Sequence, residues 1–173
     1  YGAWRDGGLT VHDVSYPPNP KLLSQRITSP PFAGGAHTPL PLPGRKLVAL
    51  ADEATSVNCA NGLAYTWLYD VRDPANPVSI ATLPTPREEN FCAKGGKFGP
   101  HNLHENRPGS FQSEDLIFAT YHNAGLRVFD VSNPFAPRQQ AYFVPPPPEQ
   151  LTDIRPGAVK VIQAMSFMSM ISC

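Results

Sequence analysis

Gly125-Leu126-Arg127-Val128-Phe129-Asp130-Val131-Ser132-Asn133-Pro134-Phe135-Ala136-Pro137 has two gap-free counterparts earlier in the chain. They run Leu9-Thr10-Val11-His12-Asp13-Val14-Ser15-Tyr16-Pro17-Pro18-Asn19-Pro20 and Trp67-Leu68-Tyr69-Asp70-Val71-Arg72-Asp73-Pro74-Ala75-Asn76-Pro77. All three read D-V-x-x-P-x-x-P, and their aspartates lie 57 and then 60 residues apart. A pattern fixed at four positions that returns at a near-constant period is the mark of a repeat architecture. The apolar residues before each aspartate predict a strand. The aspartate can accept hydrogen bonds from N–H groups two residues on, and the prolines preset φ for a turn. Asp13, Asp70 and Asp130 are therefore expected to hold turns and to do no chemistry.

Working outward, a second strand is predicted after each turn: Lys21-Leu22-Leu23-Ser24, Val78-Ser79-Ile80-Ala81-Thr82-Leu83, and Gln140-Ala141-Tyr142-Phe143-Val144. Ahead of the hairpin, the second and third units add Leu47-Val48-Ala49-Leu50-Ala51 and Leu116-Ile117-Phe118-Ala119-Thr120. These in turn follow His-led segments, His37-Thr38-Pro39-Leu40-Pro41-Leu42 and His101-Asn102-Leu103-His104. About four strands per unit, repeated radially, predict an all-β chain built as a partial β-propeller of about three four-stranded antiparallel blades. The units span about 1–26, 34–84 and 98–146 within an incomplete propeller over 1–163. The period exceeds the more usual ~40–50 residues, and loops at 54–62 and 84–98 take up the excess.

Composition agrees with short strands. The 173 residues suffice for one domain with a sizeable core. Hydrophobic residues make up 41% and charged residues 16%, a balance unlike that of a disordered chain. Twenty-one prolines leave no room for long helices. Lys+Arg and Asp+Glu number 14 each, which provides no field for nucleic acid or anionic lipid, and no apolar run reaches the ~20 residues of a membrane span. Cys59, Cys92 and Cys173 are odd in number and lack CxxC spacing, so neither a disulfide framework nor a zinc ribbon is expected; a single Cys59–Cys92 bridge stays open.

The repeated D-V-x-x-P-x-x-P stretches resemble LVIVD repeats, found in bacterial β-propellers. Trp4-Arg5-Asp6-Gly7-Gly8, His37-Thr38-Pro39-Leu40-Pro41, Phe98-Gly99-Pro100-His101-Asn102 and Tyr121-His122-Asn123-Ala124-Gly125 are similar to signatures of the same group. The resemblance covers about 1–163 and implies the fold, with no assigned activity attached. More distantly the chain resembles the selenium-binding-protein propellers, a likeness that implies histidines holding a metal. The pattern breaks at 164–173, where Ala164-Met165-Ser166-Phe167-Met168-Ser169-Met170-Ile171-Ser172-Cys173 carries all three methionines of the chain. A one-base shift of Met165-to-Ile171 permits Asp-Val-Phe-His-Val-Asp-Asp, so this segment reads as an aberrant, frameshifted tail. A genuine apolar tail is the plainer alternative. Three blades form an open arc, whose expected partners are the remaining blades of a longer parent, or further copies of itself.

Topology places the start of a unit's first strand and the end of its second at one face. His37 and His101 begin first strands, Glu53 and His122 follow second strands, and Arg5 takes the equivalent place in the first unit. His37, Glu53, His101 and His122, with His104 as a further candidate, are therefore the expected ligands of a Zn, Cu or Fe site at the channel mouth. Arg5, Asn102 and Asn123 are expected beside it as substrate-binding groups. His101 and His104 cannot both face the site from one strand, because i and i+3 side chains point oppositely. For each lone histidine, and above all for His12, a hydrogen-bonded place in the packing is the competing reading. Ser24 and Ser56 sit in no G-x-S-x-G elbow, Gly95-Gly96-Lys97 lacks P-loop spacing, and Glu88-Glu89 reads as a solvated turn. Two functions follow: a metal-dependent propeller enzyme, or a non-catalytic propeller that presents its face to a protein or carbohydrate partner.

Overall fold

The computed structural model describes residues 1–150. The tail read at 164–173 lies outside them. The chain is all-β, in three antiparallel sheets, none closed into a barrel. The first sheet contains β1 (Gly2–Ala3), β2 (Leu9–Asp13) and β3 (Lys21–Arg26). The second contains β4 (Gly35–Leu42), β5 (Leu47–Glu53), β6 (Thr66–Asp70) and β7 (Val78–Thr82), and the third β8 (Leu116–Thr120), β9 (Leu126–Asp130) and β10 (Arg138–Phe143). Within each sheet, strands adjacent in sequence are adjacent in space. Among the described residues the one helical turn is a 3-10 turn at Pro43–Arg45, and no helix is long and apolar enough to cross a membrane.

Four strands were expected in every unit, and only the middle sheet has them. In the first, just the two-residue β1 precedes the hairpin. In the third, the His101–His104 segment touches β8 without forming a strand. His101 N–H donates to Thr120 O, Thr120 N–H to Asn102 O and His104 N–H to Phe118 O, each at 2.9 Å. Asn102 N–H turns instead to the Thr120 hydroxyl at 3.0 Å. A side chain has replaced a carbonyl in the ladder.

The aspartate turns close alike. Asp13, Asp70 and Asp130 accept from the backbone N–H groups of Ser15, Arg72 and Ser132 at 2.8, 2.9 and 2.8 Å. Ahead of two of these hairpins stand Gly8 and Gly125, at φ +71° and +76°. A Cβ there would lie 1.9 Å from Arg26 O and 2.2 Å from Phe143 O, so only glycine fits between the strands. The neighbouring sheet holds the second and third turns. Ser24 Oγ and Arg26 Nε donate to Pro74 O and Pro77 O at 2.7 and 2.9 Å. Arg45 donates to Val131 O and Ser132 O at 2.7 and 2.9 Å.

The core lies between sheets. Leu40, Leu47, Ala49, Ala51 and Leu68 pack with Ile117, Ala119, Tyr121 and Phe129 of the third unit, while Val48, Leu50, Trp67 and Tyr69 pack with Leu9 of the first. Consecutive residues of β5 thus alternate between two clusters, the period-2 geometry of a strand covered on both faces. The long loops at 54–62 and 84–98 are joined by a Cys59–Cys92 disulfide, the pairing that the sequence left open. Arg127, fully buried on β9, anchors the second loop through Glu88 at 2.9 Å and lies 5.3 Å from the Phe91 ring.

With the two cysteines 33 positions apart in sequence, loop-closure entropy gives the bridge a stabilising effect of about 3–4 kcal/mol. Adding a phosphine reductant is expected to lower the urea midpoint of the chain markedly, while a Cys59→Ser/Cys92→Ser variant does not respond to it. An unchanged midpoint in the parent would remove the bridge from the account of stability.

Candidate functional site

The alternation along β5 decides where its two terminal acids point. Asp52 falls on the Val48/Leu50 side, and its Oδ2 accepts from Trp67 Nε1 at 2.6 Å and Thr28 Oγ1 at 2.9 Å. Glu53 falls on the other side, toward His101 and Lys97. Both carboxylates are buried. Asp52 has no cation in contact, and burial pushes its carboxyl up to about 6 against the pull of its two donors. Burial also pushes Glu53 up, but the Lys97 hydrogen bond and the Arg5, Lys97 and His101 charges outweigh it, leaving Glu53 below its ordinary value.

His37, Glu53 and His101 form the group that could hold a metal ion, each offering a ligand atom within 4.8 Å of the others. His101 Nε2 stands 4.0 Å from Glu53 Oε1, and the two histidine rings have centroids 4.5 Å apart. Donors at about 2.0–2.2 Å around a tetrahedral ion are roughly 3.3 Å from one another, so the group must tighten by about an ångström on binding. Neighbours orient both rings. His37 Nδ1 lies 2.9 Å from Thr38 Oγ1, and this hydroxyl donates to the His101 carbonyl at 3.1 Å. Thr38 then accepts from His37 Nδ1–H, which leaves Nε2 as the lone pair for a ligand. His101 Nδ1 is 3.3 Å from the Asn102 amide. As placed, the amide nitrogen faces Nδ1 and its oxygen faces Thr38 Oγ1; only with the Asn102 amide flipped, so that its oxygen accepts from Nδ1–H, does His101 present Nε2 as well.

His122 and His104 stand outside this group. His122 lies in the tight turn between β8 and β9, at φ +28°, and its ring stacks on His101 at 5.1 Å. It is 1% exposed and neither ring nitrogen has a polar partner, so it packs behind His101. Burial, followed by the His101 and Lys97 charges, pushes it down to about 4. His104 places Nε2 2.9 Å from the Phe111 carbonyl. Of the expected substrate groups, Arg5 meets Glu53, its Nη1 donating to Oε2 at 2.6 Å. Asn102 sits beside His101. Asn123 is fully buried and donates to Phe91 O and Gly95 O at 2.9 and 2.8 Å, bracing the loop that ends at Lys97.

Lys97 is the site residue that sequence reasoning missed. Its Nζ donates to Glu53 Oε1 at 3.2 Å. No spacing could have found it: Asn58 N–H to Gly96 O at 2.9 Å and the Val57–Lys97 bridge bring it in, next to the disulfide. A groove lined by Pro39, Pro41, Asn106 and Glu114 lies elsewhere, with none of the histidines among its lining. No family model, no curated protein and no solved structure matches this chain.

The two buried titrating neighbours act oppositely on stability. His122 has a folded pKa near 4 against about 6.5 unfolded. Its contribution is full above pH 6.5 and lost as pH falls to 4, by roughly 3 kcal/mol. Asp52 has a folded pKa near 6 against about 3.9 unfolded, so its penalty, also roughly 3 kcal/mol, is present above pH 6 and relieved as pH falls to 4. Denaturant titrations at pH 6.5 and 4 are expected to show Asp52→Asn losing more stability than the parent over this interval. His122→Asn, which tolerates positive φ, gains relative to the parent. Parallel curves for parent and both variants would refute the assignment.

Proposed function

We propose that the chain is part of a β-propeller that holds a divalent transition-metal ion, Zn, Cu or Fe, at one mouth of its channel, with His37, Glu53 and His101 as ligands. The observation that carries this reading is the convergence of two imidazoles and a buried carboxylate, His37 and Glu53 from the second unit and His101 from the third, with Thr38 and Asn102 beside the rings. Two histidines and a carboxylate with an open position are a ligand set suited to these ions. The propeller half of the reading is supported by three successive antiparallel sheets, by the like Asp13, Asp70 and Asp130 turns, and by the resemblance to LVIVD repeats. His122 contributes by stacking behind His101.

Glu53 is also engaged by Arg5 and Lys97, and this observation favours the second reading, a metal-free scaffold in which the cluster is a salt bridge alone. Equilibrium dialysis against Zn²⁺ or Cu²⁺ separates the two. One ion per chain is expected. His37→Ala and His101→Ala each weaken binding by more than the roughly 10–100-fold that losing an outer partner costs, and Thr38→Val weakens it within that range. A dialysed chain that takes up no ion would leave the scaffold reading standing.

The propeller reading has its own consequence. Leu22 and Leu23 on β3 and Tyr142 and Phe143 on β10 are 40–58% exposed, on the first and third sheets. Further blades, or further copies, cover such surfaces. Sedimentation is expected to show concentration-dependent association of the isolated chain. A monodisperse monomer at all concentrations would count against missing blades.

A further inference from the structure

We infer that the Cys59–Cys92 disulfide is a redox gate on this site. Closed, it holds Lys97 against the Glu53 oxygen that a metal would take; opened by a dithiol, it releases that oxygen to the ion. The inference rests on the metal reading above and names how that site is regulated. Glu53 Oε1 is the oxygen that both groups face, with Lys97 Nζ at 3.2 Å and His101 Nε2 at 4.0 Å. An ion bound through Glu53 Oε1 and His101 Nε2 takes the place where the ammonium now donates. Metal and ammonium compete for one oxygen, so the tie that fixes Lys97 there lowers the metal affinity.

The bridge joins the lysine's loop to the carboxylate's strand. The turn that follows Glu53 carries Cys59, and the 84–98 loop carries Cys92 and Lys97. That loop is docked on the third unit. Asn123 N–H donates to Lys97 O at 3.2 Å and the Asn123 amide to Phe91 O and Gly95 O at 2.9 and 2.8 Å, while Arg127 donates to Glu88 at 2.9 Å. Glu53 belongs to the second unit. Beside the disulfide, the loop meets the turn through Asn58 N–H to Gly96 O at 2.9 Å and through the Val57–Lys97 pairing. The turn makes these contacts with Asn58 and Cys59 at φ +53° and +55°. Two successive left-handed residues without a glycine are costly and persist only where their surroundings impose them. With the covalent tie cut, the turn relaxes and Asn58 leaves Gly96. Lys97 then stays with the third unit and parts from Glu53.

The bridge is open to attack. Both cysteines are half-buried, and Cys92 lines a groove with Tyr65, Pro86 and Arg87. The thiolate of a dithiol entering there attacks Cys92 Sγ and expels Cys59 as a thiolate. The second sulfur of the dithiol then displaces Cys92. The dithiol closes to its own disulfide, giving up two electrons, and its two protons end on the Cys59 and Cys92 thiols. By reciprocity, a bound ion makes the bridge easier to reduce by the same factor by which reduction tightens the ion.

The test compares Zn²⁺ affinity, by equilibrium dialysis, in three forms of the whole chain, each with Cys173 capped beforehand by iodoacetamide. One keeps the bridge and one is Cys59→Ser/Cys92→Ser. The third is reduced with dithiothreitol, capped at Cys59 and Cys92 and freed of reagents, so that no thiol adds a ligand. Circular dichroism establishes that each form is folded, and the mass of the third shows that the dithiol opened the bridge. Both open forms are expected to bind Zn²⁺ roughly tenfold more tightly than the bridged chain, or better. Lys97→Gln in the bridged chain gives the same gain, and opening the bridge of that variant adds little further. Equal affinity in bridged and open forms, or weaker binding in the open ones, would overturn the gate and leave the metal site standing. So would a gain on opening that survives in full in Lys97→Gln, or a bridge that dithiothreitol leaves closed in the folded chain. If no form takes up Zn²⁺, the metal reading itself falls, and the gate with it.

Discussion

The middle sheet has to be apolar on both faces, and most of the molecule is arranged around that requirement. Every residue of β5 is buried. Leu47, Ala49 and Ala51 meet the third unit, and Val48 and Leu50 meet the first. A strand in that position cannot end in a polar residue without assigning it to one side or the other. Asp52 and Glu53 follow by simple alternation, one to Trp67 and Thr28, the other to His101 and Lys97. Two adjacent carboxylates therefore acquire opposite properties: the one met only by neutral donors is raised, the one met by cations is lowered.

Beyond the single Arg5–Ala36 backbone bridge, the stacked sheets share no ladder, so other contacts must hold their relative position. The proline-rich turns do this. A tight turn leaves carbonyls without partners in the strands, and the adjacent sheet supplies the donors. Arg26 and Ser24 serve the Pro74–Pro77 turn, and Arg45 serves Val131 and Ser132. The residues differ in sequence position and strand, but the task is the same. Each link is a charge-assisted or hydroxyl donor to a carbonyl, whose geometry is far more selective than that of apolar packing.

What could be read from the sequence divides along the same physical line. Strands around Leu47–Ala51, Trp67–Asp70 and Leu126–Asp130 were legible because alternation and turn chemistry are local. So was the meeting of His37, Glu53 and His101, which follows from strand direction alone. The 101–104 segment was read as a strand and is only bridged to β8, because the Thr120 side chain competes for its backbone. His122 was legible as a neighbour of the group but not as a ring stacked behind it, since a left-handed φ in a tight turn sets that orientation. Lys97 and Thr38 were invisible for a different reason. Lys97 arrives through a loop whose path depends on a disulfide and on the buried Asn123. Thr38 acts through its hydroxyl rather than through any pattern.

The cost of burying Glu53 explains why so many groups converge on it. A carboxylate taken out of water needs partners on each oxygen, and a single long cation is rarely enough. Here Oε2 has Arg5 and Oε1 has Lys97, with His101 4.0 Å away. The partners come from three separate segments of the chain, so the carboxylate can be fully satisfied only when all three are in place. Removing any one leaves charge in a low-dielectric setting, which couples the first sheet, the disulfide loop and the His-led segment through one side chain. A metal ion would enter the same accounting as a third cation, competing with Arg5 and Lys97 for the carboxylate.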